Sequence, residues 1–345
     1  MSEPLISVVM PFYNAADWLL PALKSLDKQE ISYELIAVDD GSTDCGAEYV
    51  EAYARKNSSV KLIQFEKNRG IVDSLNHGIS LAEGEYIARM DADDICFPNR
   101  FLKQLNFIKE RDVDLCGTWC VQFGQGLSRI TRWPAKEGEL RAAMMFQNSI
   151  CHPTVMAKRK VYEKIKYRSE YTLVEDYDCF VRAMAEFRIA NMPEPLLYYR
   201  RHRAQATQAK RDKMEGVNRL VRIQALESQG VFPSEAQARY HHLIRSPSSI
   251  LDEDDLKGIE DWLSFLCQKF SDLEMQRAIA SQWVRACVRA APLGRSMWKL
   301  FRNSDLYEIA RVNQKVALDI YALALLKLDY QSYGFRVLQR LGLSA

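Results

Sequence analysis

Three carboxylates, Asp91, Asp93 and Asp94, fall within four residues at the end of the apolar run Tyr86 to Met90. Like charges this close repel unless a cation compensates them, and hard oxygen ligands select Mg²⁺ or Mn²⁺. In extended backbone, residues i and i+2 face the same side, so Asp91 and Asp93 are expected to converge while Asp94 points elsewhere. A solvated acidic turn is the plain alternative, and the position of the triplet at the end of an apolar strand favours metal. Asp39 and Asp40 come after a second apolar run, Glu34 to Val38. A carboxylate there can accept hydrogen bonds from a base N–H or from ribose hydroxyls, and Tyr13, in Pro11-Phe12-Tyr13-Asn14, offers a flat face for stacking. Ser42 to Asp44 are read as caps of the next helix. Glu175 and Asp176 open a helical run through Arg182, where a carboxylate would also compensate the helix dipole.

The elements that must position these groups are legible in the periodicity. From Leu5 to about Ala190, β-rich runs at Ile6–Met10, Glu34–Val38, Val60–Phe65 and Tyr86–Met90 alternate with helical patterns at Ala16–Leu26, Cys45–Lys56 and Ile71–Leu81. That is the pattern of an α/β fold with a mostly parallel, Rossmann-like sheet, whose ligand-binding loops lie at the carboxyl ends of the strands. After about Gln205 the pattern turns helical, interrupted at Pro233, Ser246–Ser249 and Pro292-Leu293-Gly294. The expected division is a first domain over 1–230 and a smaller all-α domain over 231–345.

The bulk properties narrow the class. The 345 residues carry 47 Lys and Arg against 45 Asp and Glu, a net charge of +2 that gives no reason to expect nucleic acid. The eight cysteines are scattered, which fits reduced thiols better than a disulfide framework, and Cys116 with Cys120 is a weak zinc signal. The N-terminus has no basic n-region or apolar h-region, and Val316–Leu328 is too short and too charged to span a bilayer. The expected location is therefore the cytoplasm, with the inner face of the membrane as the other expected place.

Taken in order, Pro-Phe-Tyr-Asn, Val38-Asp-Asp-Gly-Ser42, Asn68-Arg69-Gly70 leading to Asn76-His77-Gly78, and Asp-Ala-Asp-Asp resemble a family 2 glycosyltransferase of the GT-A fold over roughly the first 205 residues. The resemblance implies an inverting, metal-dependent enzyme that moves a sugar from a nucleotide diphosphate donor, most often a UDP-sugar, to a glycan or lipid-linked glycan, as in bacterial surface polysaccharide synthesis. It implies a donor site of Pro11, Tyr13, Asp39, Asp40, Asn68, Asp91 and Ala92, with Tyr13 stacked on the base, Asp40 in contact with the base and Asp39 as its neighbouring alternative, and Asp91 by the ribose. It further implies Asp93 as the ligand of Mn²⁺ or Mg²⁺ and Asp176 as the general base. Tyr198-Tyr199-Arg200-Arg201-His202 resembles the motif whose His joins the metal, although a lone His is usually structural. His152, in Cys151-His152-Pro153-Thr154-Val155, and Glu175 are placed on the acceptor side, with a satisfied structural imidazole as the other reading of His152. Arg132-Trp133 resembles part of the Gln-x-x-Arg-Trp signature of processive synthases, but Arg129 stands where Gln would be, so one sugar is expected per event.

Other readings fare worse. A sugar nucleotidyltransferase or a dehydrogenase would need a Gly-rich phosphate loop after an early strand, and none is present. A catalytically silent sugar-nucleotide-binding or scaffolding subunit would have no need of Asp176. In the tail, Arg285, Arg289, Arg295 and Lys299 interleave with Trp283, Trp298 and Phe301 without an acid. Such a stretch can lie on an anionic membrane, but a core face with a solvated face, or a contact within a homo-oligomer, outranks that reading.

Overall fold

The computed structural model describes residues 5–202, 211–245, 251–329 and 332. The chain divides into two compact units, one of residues 1–137 and 148–221 and the other of residues 138–147 and 222–345. The sequence-based boundary at 230/231 differs on two points. The division falls between Val221 and Arg222, and residues 138–147, a short helix inside the α/β half of the sequence, go with the second unit. The expected interruption at Ser246–Ser249 lies outside the described residues.

In the first unit β1 (Ile6–Phe12), α1 (Ala16–Leu26), β2 (Tyr33–Asp39), α2 (Gly46–Ala54), β3 (Val60–Gln64), α3 (Ile71–Ser80) and β4 (Tyr86–Arg89) keep the expected alternation. β5 (Ile95–Cys96), α4 (Arg100–Arg111), β6 (Leu115–Gly124) and β7 (Arg129–Thr131) come next. β8 (Met156–Lys158), α6 (Arg159–Lys164), α7 (Glu175–Met184) and β9 (Ile189–Arg201) follow, while α5 (Glu137–Phe146), which comes between β7 and β8 in the chain, belongs to the second unit from Gly138 on. The strands form one sheet in the order β3-β2-β1-β4-β8-β6-β9-β5, with β7 on β6. β1, β2, β3 and β4 pair in parallel, as does β6 with β9, whereas β8 runs antiparallel between β4 and β6. The first strands are parallel because each is joined to the next by a helix. β1 is buried along its whole length, as a strand covered on both faces must be. Gly78 lets α3 lie close on the sheet, since a Cβ there would stand 2.7 Å from Val9 Cγ1 and 3.1 Å from Val38 Cγ2.

The second unit is helical: part of α5, then α8 (Arg211–Ser228), which begins in the first unit, α9 (Glu235–Arg245), α10 (Glu253–Lys269), α11 (Leu273–Arg289), α12 (Arg295–Asn303), α13 (Asp305–Ile309) and α14 (Gln314–Leu326). Asp252 and Asp272 cap α10 and α11, accepting from the Asp255 and Met275 N–H groups at 2.7 and 3.1 Å. Its core is built on Trp262, Trp283 and Phe301, all but fully buried. Trp283 and Phe301 are two of the three aromatics that the sequence offered to a membrane, and the core-face reading holds for both. All eight cysteines are free and all but Cys45 are buried. Among the described residues, no helix is long and apolar enough to cross a membrane.

Candidate active site

The carboxyl ends of β1, β2 and β3 are tied into one platform. Asn14 turns the chain at φ 47°, its N–H donating to Ser42 Oγ at 2.9 Å while its Oδ1 accepts from the Thr43 N–H at 2.8 Å. Asp44 accepts from the Ala16 N–H at 2.8 Å and the Gly46 N–H at 3.0 Å, so one carboxylate serves the starts of both α1 and α2. Ser42 and Thr43 are thus cross-loop ties rather than caps. Asp39 Oδ1 accepts from the Ser42 N–H at 2.9 Å, and Asp40 receives the Arg69 and Gly70 N–H groups at 2.7 and 2.9 Å. Both carboxylates are buried, and Asp40 thereby holds the Asn68-Arg69-Gly70 turn against β2. Gly41, at φ 74°, has no room for a Cβ, which would lie 2.5 Å from the Lys67 carbonyl carbon. Tyr13 and Asn68 stand exposed at the rim. Pro11 fits a central strand because β4 stops pairing at Val9–Arg89, so its missing N–H falls beyond the ladder on that side.

The acidic motif departs from the extended form that the sequence suggested. After Arg89 the chain turns, and the Asp94 N–H donates back to the Asp91 carbonyl at 3.3 Å. The turn brings Asp94 in with the other two instead of away from them, and one carboxylate oxygen from each of Asp91, Asp93 and Asp94 lies within 4.8 Å of the others. Burial and then the Asp91 charge push the Asp93 carboxyl up; burial and its two acidic neighbours push Asp94 well up. Asp94 Oδ1 accepts from the Arg200 N–H at 2.8 Å, while its buried Oδ2 has no partner. β9 supplies the other wall. Arg200 Nε donates to the Asp93 carbonyl at 2.8 Å, with its guanidinium over Trp18 and Phe123 at 4.7 and 4.5 Å. His202 Nε2 lies 2.9 Å from Asp93 Oδ2, and its ring stacks on Trp18 at 5.3 Å. An all-oxygen donor set, an adjacent imidazole and an orphaned buried carboxylate oxygen fit a hard divalent cation. Ala92 is buried beneath the turn.

Asp91, Asp93, His152, Glu175, Asp176 and His202 line one cleft of about 600 Å³. Pro11, Tyr13, Asp39, Asp40, Asn68 and Ala92 are not among the residues described as lining it. Asp176, in the first turn of α7, accepts from Asn148 Nδ2 and from the Tyr177 N–H, each at 2.7 Å. Burial, reinforced by Glu175, pushes its carboxyl up to about 7. Glu175 in turn accepts from the N–H of Leu173 at 2.8 Å and so braces a residue held at φ 88°, a strained backbone for a branched side chain. Asp178 is spoken for, buried between Arg168 and Arg182. The His152 ring is buried, with Nε2 2.8 Å from the Tyr167 hydroxyl; burial and then the Arg89 charge hold it well below the usual imidazole range, so it is neutral.

Two residues that sequence reasoning passed over complete the cleft. Arg89 is buried in its wall, and one Nη lies 2.5 Å from Asp91 while Nε and Nη1 have no partner. Burial works against its charge, but Asp91 more than restores it. Behind it, the buried Arg100 donates to the Arg89 carbonyl at 2.9 Å and to Gln104 at 2.8 Å, which fixes the strand end. Asn148, the partner of Asp176, is the other.

A family model described as "Glycosyl transferase family 2" matches residues 7–166. An uncharacterised glycosyltransferase of Methanocaldococcus jannaschii, MJ1057, is 31% identical over 208 residues, 58% of this chain and 72% of the relative. The chain belongs to glycosyltransferase family 2. It is an enzyme of that class, and a relative at 29% identity over 203 residues (57% of this chain, 76% of the relative) is the amylovoran biosynthesis glycosyltransferase AmsE of Erwinia amylovora. Among solved structures, S. aureus TarS 1–349 in complex with UDP-GlcNAc superposes with a TM-score of 0.55 at 22% identity, covering 93% of this chain and 90% of that one. The chain spans 55% of a longer TarS structure. The shared fold is that of a GT-A-like α/β domain with a helical region after it.

Proposed function

We propose that this glycosyltransferase moves a sugar, with inversion, from a nucleotide diphosphate donor to a hydroxyl of a glycan or lipid-linked glycan. The observation that carries the reading is the Asp176 carboxyl, held by Asn148 and the Tyr177 N–H, in the same cleft as the Asp91–Asp94 turn. The family motifs support a uridine donor, and TarS bound to UDP-GlcNAc makes UDP-sugars the first to try. Relatives such as AmsE support a place in surface polysaccharide synthesis.

The tied loops after β1, β2 and β3 would hold the nucleoside, with Tyr13 against the base and Asp39 or Asp40 accepting from it. Asp40 already orders the 68–70 turn, which leaves Asp39 the freer of the two. Asp91, Asp93 and Asp94, with His202 alongside, would hold Mn²⁺ or Mg²⁺. When bound, such an ion supplies charge neutralisation for the leaving diphosphate. Asp176 takes the proton from the acceptor hydroxyl as that oxygen bonds to the anomeric carbon and the carbon–oxygen bond to the diphosphate breaks. One displacement inverts the centre, and general-base assistance is worth on the order of 10² to 10⁴ in rate. Asn148 and the Tyr177 N–H aim the carboxylate. Arg89 balances the cluster of acids.

The test is product analysis with a panel of α-linked nucleotide sugars and Mn²⁺. A β-linked product, lost on Asp176→Asn while nucleoside diphosphate still binds, is the expected outcome. An α-linked product, or full turnover in Asp176→Asn, would overturn the mechanism.

A further inference from the structure

Helix α14 is apolar on two sides. Ala317, Ile320, Leu323 and Ala324 face the core of the second unit, whereas Leu318, Tyr321, Leu325 and Leu326 are 66, 44, 61 and 57% exposed. A helix that is hydrophobic all round is ordinarily covered on every side. The exposed stripe continues onto α12 through Tyr321, whose ring meets Trp298 at a centroid distance of 5.0 Å. On α12, Arg295 and Arg302 stand three residues before and four after Trp298 and so share its face. Both are exposed, with Arg302 6.0 Å over the Trp298 ring, while Met297 and Phe301 turn inward. Lys327, exposed at the end of α14, lies beside Gly294, where a Cβ would come within 3.0 Å of its Cε. From Arg295 to Lys327 the sequence holds six Lys or Arg against Asp305, Glu308 and Asp319, and from Arg277 to Asn303 it holds no acid.

We propose that the Leu318–Tyr321–Leu325–Leu326 stripe, with Trp298 and the flanking Arg295 and Arg302, docks on an anionic lipid surface. Apolar side chains enter the boundary between headgroups and acyl chains, an indole and a phenol sit at its polar edge, and arginines pair with lipid phosphate. Charge decides against a second copy of this chain, because a two-fold contact would press the same cations together. Residues 330–345 add Arg336 and Arg340 and no acid, so their composition is of the same kind.

The test is co-sedimentation of the full chain with phosphatidylglycerol vesicles and with phosphatidylcholine vesicles, alongside its solution mass. The expected result is binding to the anionic vesicles that weakens with added salt and falls by about tenfold or more in Leu318→Glu/Leu325→Glu. That variant should keep the wild-type circular dichroism and nucleotide binding. Equal binding to both vesicle types, or anionic binding that survives the double substitution, would overturn the proposal. So would a dimer that the substitution splits in a chain that ignores vesicles, which would assign the stripe to a second copy. A monomer that ignores vesicles would also overturn it and leave the stripe to the chain's own C-terminal residues.

Discussion

Asp176 is a carboxyl group whose working range is set by its neighbours. A general base must be deprotonated, and with the group pushed up to about 7 the rate should climb through neutrality and level off above it. Glu175 contributes to the upward push and the Arg89 charge opposes it. Glu175→Gln should therefore move the acid limb of the pH–rate profile down, and Arg89→Met should move it up. Gln keeps an oxygen for the Leu173 N–H, so the strained turn survives the first substitution. Because the two carboxyls are neighbours and the Glu175 charge acts on Asp176, the direction of each displacement is the readout. A limb that stays put in both variants would mean that another step or group limits the rate in acid. Asp176 was singled out in the sequence by the family resemblance, since two adjacent acids at a helix start read locally as compensation of the helix dipole. Arg89 was not, because a cation at the end of an apolar strand looks like a surface residue until the fold buries it.

The platform proposed to hold the nucleotide is an assembly of elements, and its tolerances are narrow. Gly41 sits where β2 hands over to the loop that Asp40 and the 68–70 turn close. Replacing it by Ala adds a Cβ into the Lys67 backbone at a positive φ, and the expected cost is about 1–3 kcal/mol of stability together with weaker nucleotide binding. Thermal unfolding and nucleoside diphosphate titration of Gly41→Ala would check both; a loss of stability with unaltered binding would detach this turn from the donor site. Much of this layer could be read in advance, since β1 to β4 and α1 to α3 each have a clean period and stand in chain order. The later strands could not. β5 and β8 are two and three residues long, and β9 runs through Pro193 and Pro195, which argue against a strand when read alone. The acid turn was misread for a related reason: the pattern of β4 ends at Arg89, and the backbone from Asp91 to Asp94 is fixed by a hydrogen bond between those two residues that no periodicity reveals. Residues 138–147 were assigned by position in the chain, whereas the apolar contacts of Ala142, Met145 and Phe146 are with the helical core.

At the scale of the whole molecule the acids set a thermodynamic signature. Asp91, Asp93 and Asp94 are held together against their own repulsion, with Asp93 and Asp94 pushed up and one buried oxygen of Asp94 unmet. A divalent cation that binds only the folded chain relieves that repulsion, and the cation and the diphosphate it would hold raise stability by mass action, by about 2.7 kcal/mol at a hundred times the dissociation constant. Mn²⁺ and a nucleoside diphosphate together should therefore raise the unfolding temperature by more than the sum of the two added singly, since each supplies charge that the other needs. Asp93→Ala should abolish the synergy, because it removes the carboxylate that both the turn and His202 share. Asp176→Asn should keep it, because the role proposed for Asp176 is toward the acceptor and not toward the diphosphate or its ion. Scanning UDP, GDP and dTDP in this way also selects the base: a synergy confined to one nucleotide identifies the donor class, and one that is equal for all three would place the affinity in the diphosphate and its ion alone. A nucleotide shift that is indifferent to metal and to Asp93→Ala would remove the cation from the site and leave the acid turn as a structural device.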